Sequence, residues 1–243
     1  MPENAFNILL LIARPAAGKS EIIDYLKRTP VAERKSRFHV GEFEEIDDFP
    51  ILWGWFEEDR ILAEMGYPRL HSDNQEYFLN QYQWDVLIRL ICLAYAKKLR
   101  DNPNYHDQYT TIVEFSRGVE HGGYRSAFQH LSSEMLERMA ILYVNVSWEE
   151  SQRKDAARFN PDRPDSVLEH GMTSKKLERL YKEIDWEEVS AENPEYINIQ
   201  DVKVPYVVFE NEDDVTTGRG AALGERLETV LQRLWTLNEK YRP

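Results

Sequence analysis

Apolar residues fall along this chain in blocks of two kinds. Short runs at Ile8-Leu9-Leu10-Leu11-Ile12, Tyr109 to Phe115, Ala140 to Val146 and Val204 to Phe209 have the length and composition of strands, and the first and third are near-continuously apolar, as in strands buried on both faces. Between them lie stretches in which apolar residues recur every three or four positions, the spacing of one helix face. These predict helices over Lys19 to Arg28, Phe49 to Gly66, Ser72 to Arg100, Ser126 to Arg138, Thr173 to Trp186 and Ala221 to Asn238. Local punctuation agrees: Thr29-Pro30 stops the first helix, Ser72-x-x-Gln75 has the form of a capping box, and Asp101-Asn102-Pro103 ends the long helix. Phe38-His39-Val40-Gly41 reads as a further strand, second in chain order, and Ser190 to Asp201 as a polar connection. Strands alternating with helices imply a parallel sheet covered on both faces, its crossovers right-handed.

The junction after the first strand carries the strongest chemical signal. Ala13-Arg14-Pro15-Ala16-Ala17-Gly18-Lys19-Ser20 fits small-x-x-x-x-Gly-Lys-Ser, placed between a strand and a helix. A loop of small residues lets successive amides point at phosphate oxygens, and the open N–H groups of the following helix strengthen that field. Lys19 then reaches the β- and γ-phosphates, and the Ser20 hydroxyl ligates Mg2+. Two alanines depart from the common pattern: Ala13 replaces the first glycine and Ala16 stands where a second is frequent. Alanine serves at those positions if φ stays below zero. The alternative is an ordinary strand-turn-helix corner.

Composition narrows the classes. With 243 residues, 42% hydrophobic and 30% charged, the chain suits one α/β domain with a sizeable core. A net charge of -13 argues against a surface that coats nucleic acid, so any polyphosphate must meet a local positive site. The single cysteine, Cys92, lies in an apolar helical run, which rules out an intrachain disulfide and fits a reducing compartment. No apolar run approaches the length of a membrane span and no signal-like leader precedes the first strand, so a cytoplasmic location is expected.

The Ala-Arg-Pro-Ala-Ala-Gly-Lys-Ser loop resembles the opening of P-loop small-molecule kinases, the adenylate, shikimate and deoxynucleoside kinase group; the rest of the chain is similar in layout more than in motif. The resemblance implies a single P-loop kinase-like domain over 1–243, an NTPase-type three-layer α/β sandwich. Its five-stranded parallel sheet has the order 2-3-1-4-5, helices cover both faces, an acceptor-site segment spans 41–72 and a lid spans 153–172. ATP and Mg2+ are the implied cofactors, with Ala13, Arg14, Pro15, Ala16, Ala17, Gly18, Lys19, Ser20 and Glu21 around the phosphates. An acidic residue just after strand two is expected to orient the acceptor hydroxyl, Glu42 or Glu44 first and Asp47 second, unless the acidic run is only a solvated turn. By position alone Glu114, closing strand three, is expected to order the magnesium water shell with Ser20.

Further candidates follow along the chain. Trp53 and Arg60 can stack on and steady the acceptor, with core and surface filling as the alternative. Arg117, in a Glu-Phe-Ser-Arg sequence loosely similar to the acid-Arg motifs of nucleoside and thymidylate kinases, and Arg125, after two glycines and a tyrosine, are candidate contacts to phosphate or carboxylate. Arg153, Lys154, Arg158 and Arg163 form a basic cluster in an acidic protein, implied by the resemblance to be a lid over the transferring phosphoryl group. The solvated basic end of a helix is the other reading. No Asn-Lys-x-Asp or Ser-Gly-Gly signature of a switch GTPase or transporter ATPase is present. The expected activity is ATP-dependent phosphoryl transfer to a small-molecule acceptor, a nucleoside or nucleotide first. A nucleotide-binding module without turnover is the competing reading. No nucleic acid or membrane partner is expected, and oligomeric state, a homodimer included, stays open.

Overall fold

Ile8, Leu10 and Ile12 enter one apolar cluster while Leu9, Leu11 and Ala13 enter another, so the first strand is sandwiched between two cores and every residue in it is buried. That follows from the two-residue alternation of a strand applied to a run with no polar member. The computed structural model describes residues 4–158 and 173–241.

The chain runs β1 (Ile8–Ala13), α1 (Lys19–Arg28), α2 (Val31–Phe38), β2 (Glu42–Asp47), α3 (Phe49–Glu64), α4 (Tyr82–Asp101), α5 (Tyr105–Gln108) and β3 (Tyr109–Phe115). A turn of 3-10 helix, Val119–His121, leads to α6 (Gly123–Gln129), α7 (Ser133–Leu136), β4 (Met139–Asn145) and α8 (Trp148–Arg158). The last part is α9 (Ser174–Tyr181), α10 (Trp186–Ser190), β5 (Tyr196–Ile199), β6 (Val202–Glu210) and α11 (Ala221–Tyr241).

The sheet has six strands in the order β2-β3-β1-β4-β6-β5, parallel throughout except for β5, which pairs antiparallel with β6. One core lies beneath α4, α6, α7 and α10; the other lies beneath α1, α2 and α11. The molecule is therefore a mixed α/β three-layer sandwich. β1 occupies the middle, and the crossings that run from it to β3 on one side and β4 on the other open a crevice at the carboxyl ends of the strands.

The expected sheet of five strands in the order 2-3-1-4-5 is corrected in count and order. Tyr196 to Ile199, inside the stretch read as a polar connection, forms an edge strand, because an edge strand needs only one apolar face: Ile197 and Ile199 are buried while Asn198 is exposed. The second strand is also displaced. Phe38 ends α2, His39 takes φ 54 as its C-cap, and the strand is the acidic run Glu42 to Asp47 itself. β2 pairs only with β3, so its outward carboxylates stay at the surface and find cations: Glu44 meets Lys98 and the Tyr105 hydroxyl, and Glu45 meets Lys27 at 2.7 Å. The long helix begins at Tyr82 rather than Ser72, because the Ser72 hydroxyl donates to Asp59 at 2.7 Å instead of capping. Gln83 Oε1 accepts from the Asn80 amide at 2.9 Å, tying the approach to the helix to its first turn. The helix read over Ser126 to Arg138 is broken into α6 and α7, and that read over Thr173 to Trp186 ends at Tyr181.

Candidate functional site

A cleft of about 800 Å³ lies at the carboxyl ends of β1, β2 and β3. Its floor is the loop from Pro15 to Gly18 with the first turn of α1. In this loop the carbonyls are held from outside the cleft: Ser151 Oγ donates to Pro15 O at 2.8 Å, and Asn211 Nδ2 donates to Ala17 O at 2.7 Å. The amides of Ala16, Gly18, Lys19 and Ser20 donate to no acceptor among the described residues. A concave run of unmatched donors ahead of a helix N-terminus is an anion cradle.

Gly18 is required by that shape. It sits at φ 117, and a Cβ there would lie 2.7 Å from Thr216 Oγ1 and 2.9 Å from Asn211 Nδ2. Thr216 and Asn211 are themselves fully buried and bonded at 2.8 Å, so the loop after β6 buttresses the 13–18 turn. Of the two alanines, Ala13 keeps the negative φ of a strand residue. Ala16 does not: its φ is 56, a left-handed conformation, so the condition set from sequence fails at that position.

Acids cluster on the neighbouring strand ends. Asp47 and Glu114 are register partners at the carboxyl ends of β2 and β3, and both line the cleft. Burial, followed by the nearby charges of Glu114 and Asp48, pushes the Asp47 carboxyl up to about 8; the Phe49 amide and the Lys19 ammonium oppose this without cancelling it. Lys19 Nζ donates to Ser116 Oγ at 2.8 Å, just past β3. Among the described residues no group of three or more His, Cys, Asp or Glu is arranged to hold a metal by itself.

The far half of the cleft is aromatic. Leu52, Trp53, Phe56 and Trp84 line it, joined by Tyr181. Arg117, only 2% exposed, places Nη2 2.6 Å from Asp48 Oδ2, an ion pair not aligned as a hydrogen bond, and donates to the carbonyls of Ser116 and Trp84. Its guanidinium lies 5.2 Å from the centre of the Trp84 ring. On the opposite rim α8 brings Arg153 and Lys154 to Asp214: Arg153 Nη2 at 2.8 Å, and the buried Lys154 Nζ within ion-pair distance while also donating to Thr216 Oγ1 at 3.0 Å. Asp214 is held down to about 2: burial alone raises it, but the bonds from Lys154, Thr217 and Arg153 outweigh that.

Of the residues singled out from sequence, Pro15 through Glu21, Asp47, Trp53, Glu114, Arg117 and Arg153 come together around the cleft. Others do not. Glu42 is at the amino end of β2, opposite Tyr109 and 3.4 Å from Arg34, because the acidic run is the strand and not the loop after it. Arg60 lies over the Trp53 ring at 5.6 Å and near Glu57, outside the lining. Arg125 is exposed beside Glu188 on α6, which the Asp185 carboxylate anchors through the Tyr124 and Arg125 amides. The Arg14 side chain also turns away, donating to Lys182 O at 2.8 Å. The Arg158 side chain, Arg163 and the rest of the expected lid over 159–172 lie outside the described residues. Asn211, Thr216, Glu76 and Lys176 join the site without being among the residues singled out from sequence. Asn-x-x-x-x-Thr after a terminal strand is the only sequence trace of the buttress, and it has no fixed chemical meaning alone.

No protein-family model matches the chain, and no curated protein matches it. Among solved structures it is similar to an unliganded sugar kinase from Janibacter sp. HTCC2649, with a TM-score of 0.43 and 13% identity over 96% of this chain and 98% of that one. It is also similar to the protein APE1195, with a TM-score of 0.38 and 14% identity over 94% of this chain and 98% of that one. No described helix is long and apolar enough to cross a membrane.

Proposed function

We propose that this protein transfers the γ-phosphoryl group of ATP to a hydroxyl of a small-molecule acceptor, a nucleoside or nucleotide in the first instance. The observation that carries the reading is the cradle at 15–20: carbonyls tied back by Ser151 and Asn211, amides unmatched, and a lysine and a serine at the helix start. A triphosphate matches it in charge and in the number of acceptor oxygens.

The residues present fit Mg2+ as well. Ser20 is exposed at the cradle's edge and Glu114 stands near the end of β3, and among the described residues no closed cage of protein ligands surrounds them. Magnesium keeps several waters and takes phosphate oxygens, so one hydroxyl and one outer carboxylate suit it. Bound there, the ion supplies charge neutralisation for the phosphate oxygens.

The chain's own groups then have separable tasks. The amides of Ala16, Gly18, Lys19 and Ser20 and the Lys19 ammonium hold the phosphates and meet the charge that builds on them in the transition state. Lys19 is within reach of Ser116 and exchanges that partner for a phosphate oxygen. Asp47, in its ionised form, accepts the acceptor's proton as the acceptor oxygen bonds to the γ-phosphorus and the bridging oxygen departs with ADP, so the step should quicken as pH rises toward 8. Arg153 and Lys154, once released from Asp214, add positive charge from the rim. Aromatic walls exclude water and orient the acceptor.

Lys19→Ala tests this. Its one hydrogen bond is part-buried, so folding should be retained, while ATP consumption in the presence of acceptor falls by about 10²–10³ or more. Activity within a few-fold of wild type refutes the mechanism. A non-turnover nucleotide-binding module is the second reading, favoured by the left-handed Ala16. It predicts ATP–Mg binding in calorimetry with no consumption under any acceptor.

A further inference from the structure

The connection between α3 and α4 is held in shape by two carboxylates, Asp59 of α3 and its own Asp73. Asp59, fully buried, gathers the amides of Leu70, His71 and Ser72 together with the Ser72 hydroxyl. Asp73 Oδ1 then accepts from the Gln75 and Tyr77 amides at 2.8 and 3.0 Å, and Tyr77 O accepts from the Asp73 amide. The turn this produces ends on Glu76 at φ 60, a left-handed conformation that glutamate adopts at a cost, and the Glu76 side chain lines the cleft.

Opposite it stands Lys176 of α9. Its side chain is 15% exposed, and Nζ lies 3.5 Å from Glu76 Oε2, 3.3 Å from Gln75 O and 5.1 Å from the centre of the Phe56 ring. Both polar contacts are long for an ammonium that has lost this much water, and burial lowers its pKa despite Glu76. A carboxylate and an ammonium thus hold each other loosely in the wall of a cleft that Leu52, Trp53, Phe56 and Trp84 also line. Strained backbone, a half-buried cation and a weak mutual bond beside aromatic side chains mark a place where a ligand completes the bonding.

We propose that Glu76 and Lys176 set acceptor specificity, reading adjacent donor and acceptor atoms on the edge of a planar heterocycle whose faces meet the aromatic walls. The inference rests on the kinase reading and adds the two residues that choose the acceptor. An aliphatic polyol presents hydroxyls in many directions, and the aromatic walls answer few of them.

The test is steady-state ATP consumption with uridine, cytidine, ribose and shikimate as acceptors, beside calorimetry with ATP–Mg. Uridine and cytidine differ at one ring edge, where a carbonyl and a ring N–H become an amino group and a bare nitrogen. Lys176→Met is expected to raise the KM for a nucleoside by at least about tenfold, with the KM for ATP unchanged, and Lys176→Arg to restore most of it. Glu76→Gln, which adds a donor where there was only an acceptor, is expected to shift the uridine-to-cytidine ratio of kcat/KM by about tenfold. An unchanged ratio and KM in these variants, or wild-type turnover of ribose or shikimate with neither nucleoside, overturns the inference and leaves the kinase reading standing. Wild type that neither binds ATP–Mg nor consumes it with any acceptor overturns both.

Discussion

Two adjacent alanines in the 13–20 loop should respond unequally to the same substitution. Ala16 has φ 56, whereas Ala17 has an ordinary negative φ. An L side chain in the left-handed region costs about 1–2 kcal/mol, which glycine avoids. Glycine also loosens the unfolded chain, at about 0.4–1 kcal/mol. The Ala16 methyl belongs to neither apolar cluster but is itself buried, so its removal loses about 0.8 kcal/mol of burial, as at Ala17. Relief of the left-handed strain thus offsets the other two losses, and Ala16→Gly should stay within about 0.8 kcal/mol of wild type. Ala17 belongs to the core beneath α1 and is 1% exposed. Ala17→Gly adds the loss of a buried methyl, about 0.8 kcal/mol, to the same unfolded-state effect, so it should destabilise by about 1–2 kcal/mol. For a chain of this size each kcal/mol moves Tm by about 2–4 °C, so the two variants should melt several degrees apart, Ala17→Gly clearly below wild type and Ala16→Gly close to it. Thermal and urea unfolding of the three proteins side by side measures this, and ATP–Mg binding should be no weaker in Ala16→Gly. Equal destabilisation by both glycines would falsify the assignment of strain to Ala16.

Three further outcomes follow from the same geometry. The folded protein keeps a proton on Asp47 up to about pH 8 while an unfolded aspartate releases it near pH 4, so the folded state binds more protons in between and stability declines as pH rises across that window. Asp47→Asn, which cannot titrate, should flatten the decline between pH 5 and 8 in urea unfolding; parallel slopes for the two proteins would contradict the raised pKa. Asn211→Ala leaves Ala17 O and the Thr216 amide without their partner, at about 1–3 kcal/mol for the stranded groups, and should weaken ATP–Mg binding in calorimetry because the cradle loses its buttress. Arg117→Met strands Asp48 in a buried site and should cost about 3–5 kcal/mol, of which Asp48→Leu in the same chain recovers part; a double variant no more stable than the single would mean the pair is not coupled.

Residues that act through local order are legible in the sequence alone. The run Ile8 to Ile12, the small-residue turn after it and the start of α1 at Lys19 all depend on contacts within a dozen positions, and they fall where periodicity and turn chemistry put them. β3 and α3 are equally plain. Glu42 to Asp47 is not, because a strand at the sheet's edge satisfies its carboxylates with Lys27, Lys98 and Arg34, and nothing local announces cations brought from other elements. Ser72-x-x-Gln75 has the pattern of a cap, but the buried Asp59 takes the serine instead.

The sequence by itself determined the kind of layer sandwich, the corner with a Gly-Lys-Ser turn and the acidic end of the third strand, since each is written in neighbouring residues. Only the tertiary structure decided which charges share the cleft. It carried Asp47 in and left Glu42 at the other end of one strand, buried Arg117 against Asp48, kept Arg60 and Arg125 outside, and set Lys176 across from Glu76 over a long intervening stretch of chain. Those pairings depend on register, crossover and helix rotation, which many sequences with the same local pattern could arrange differently.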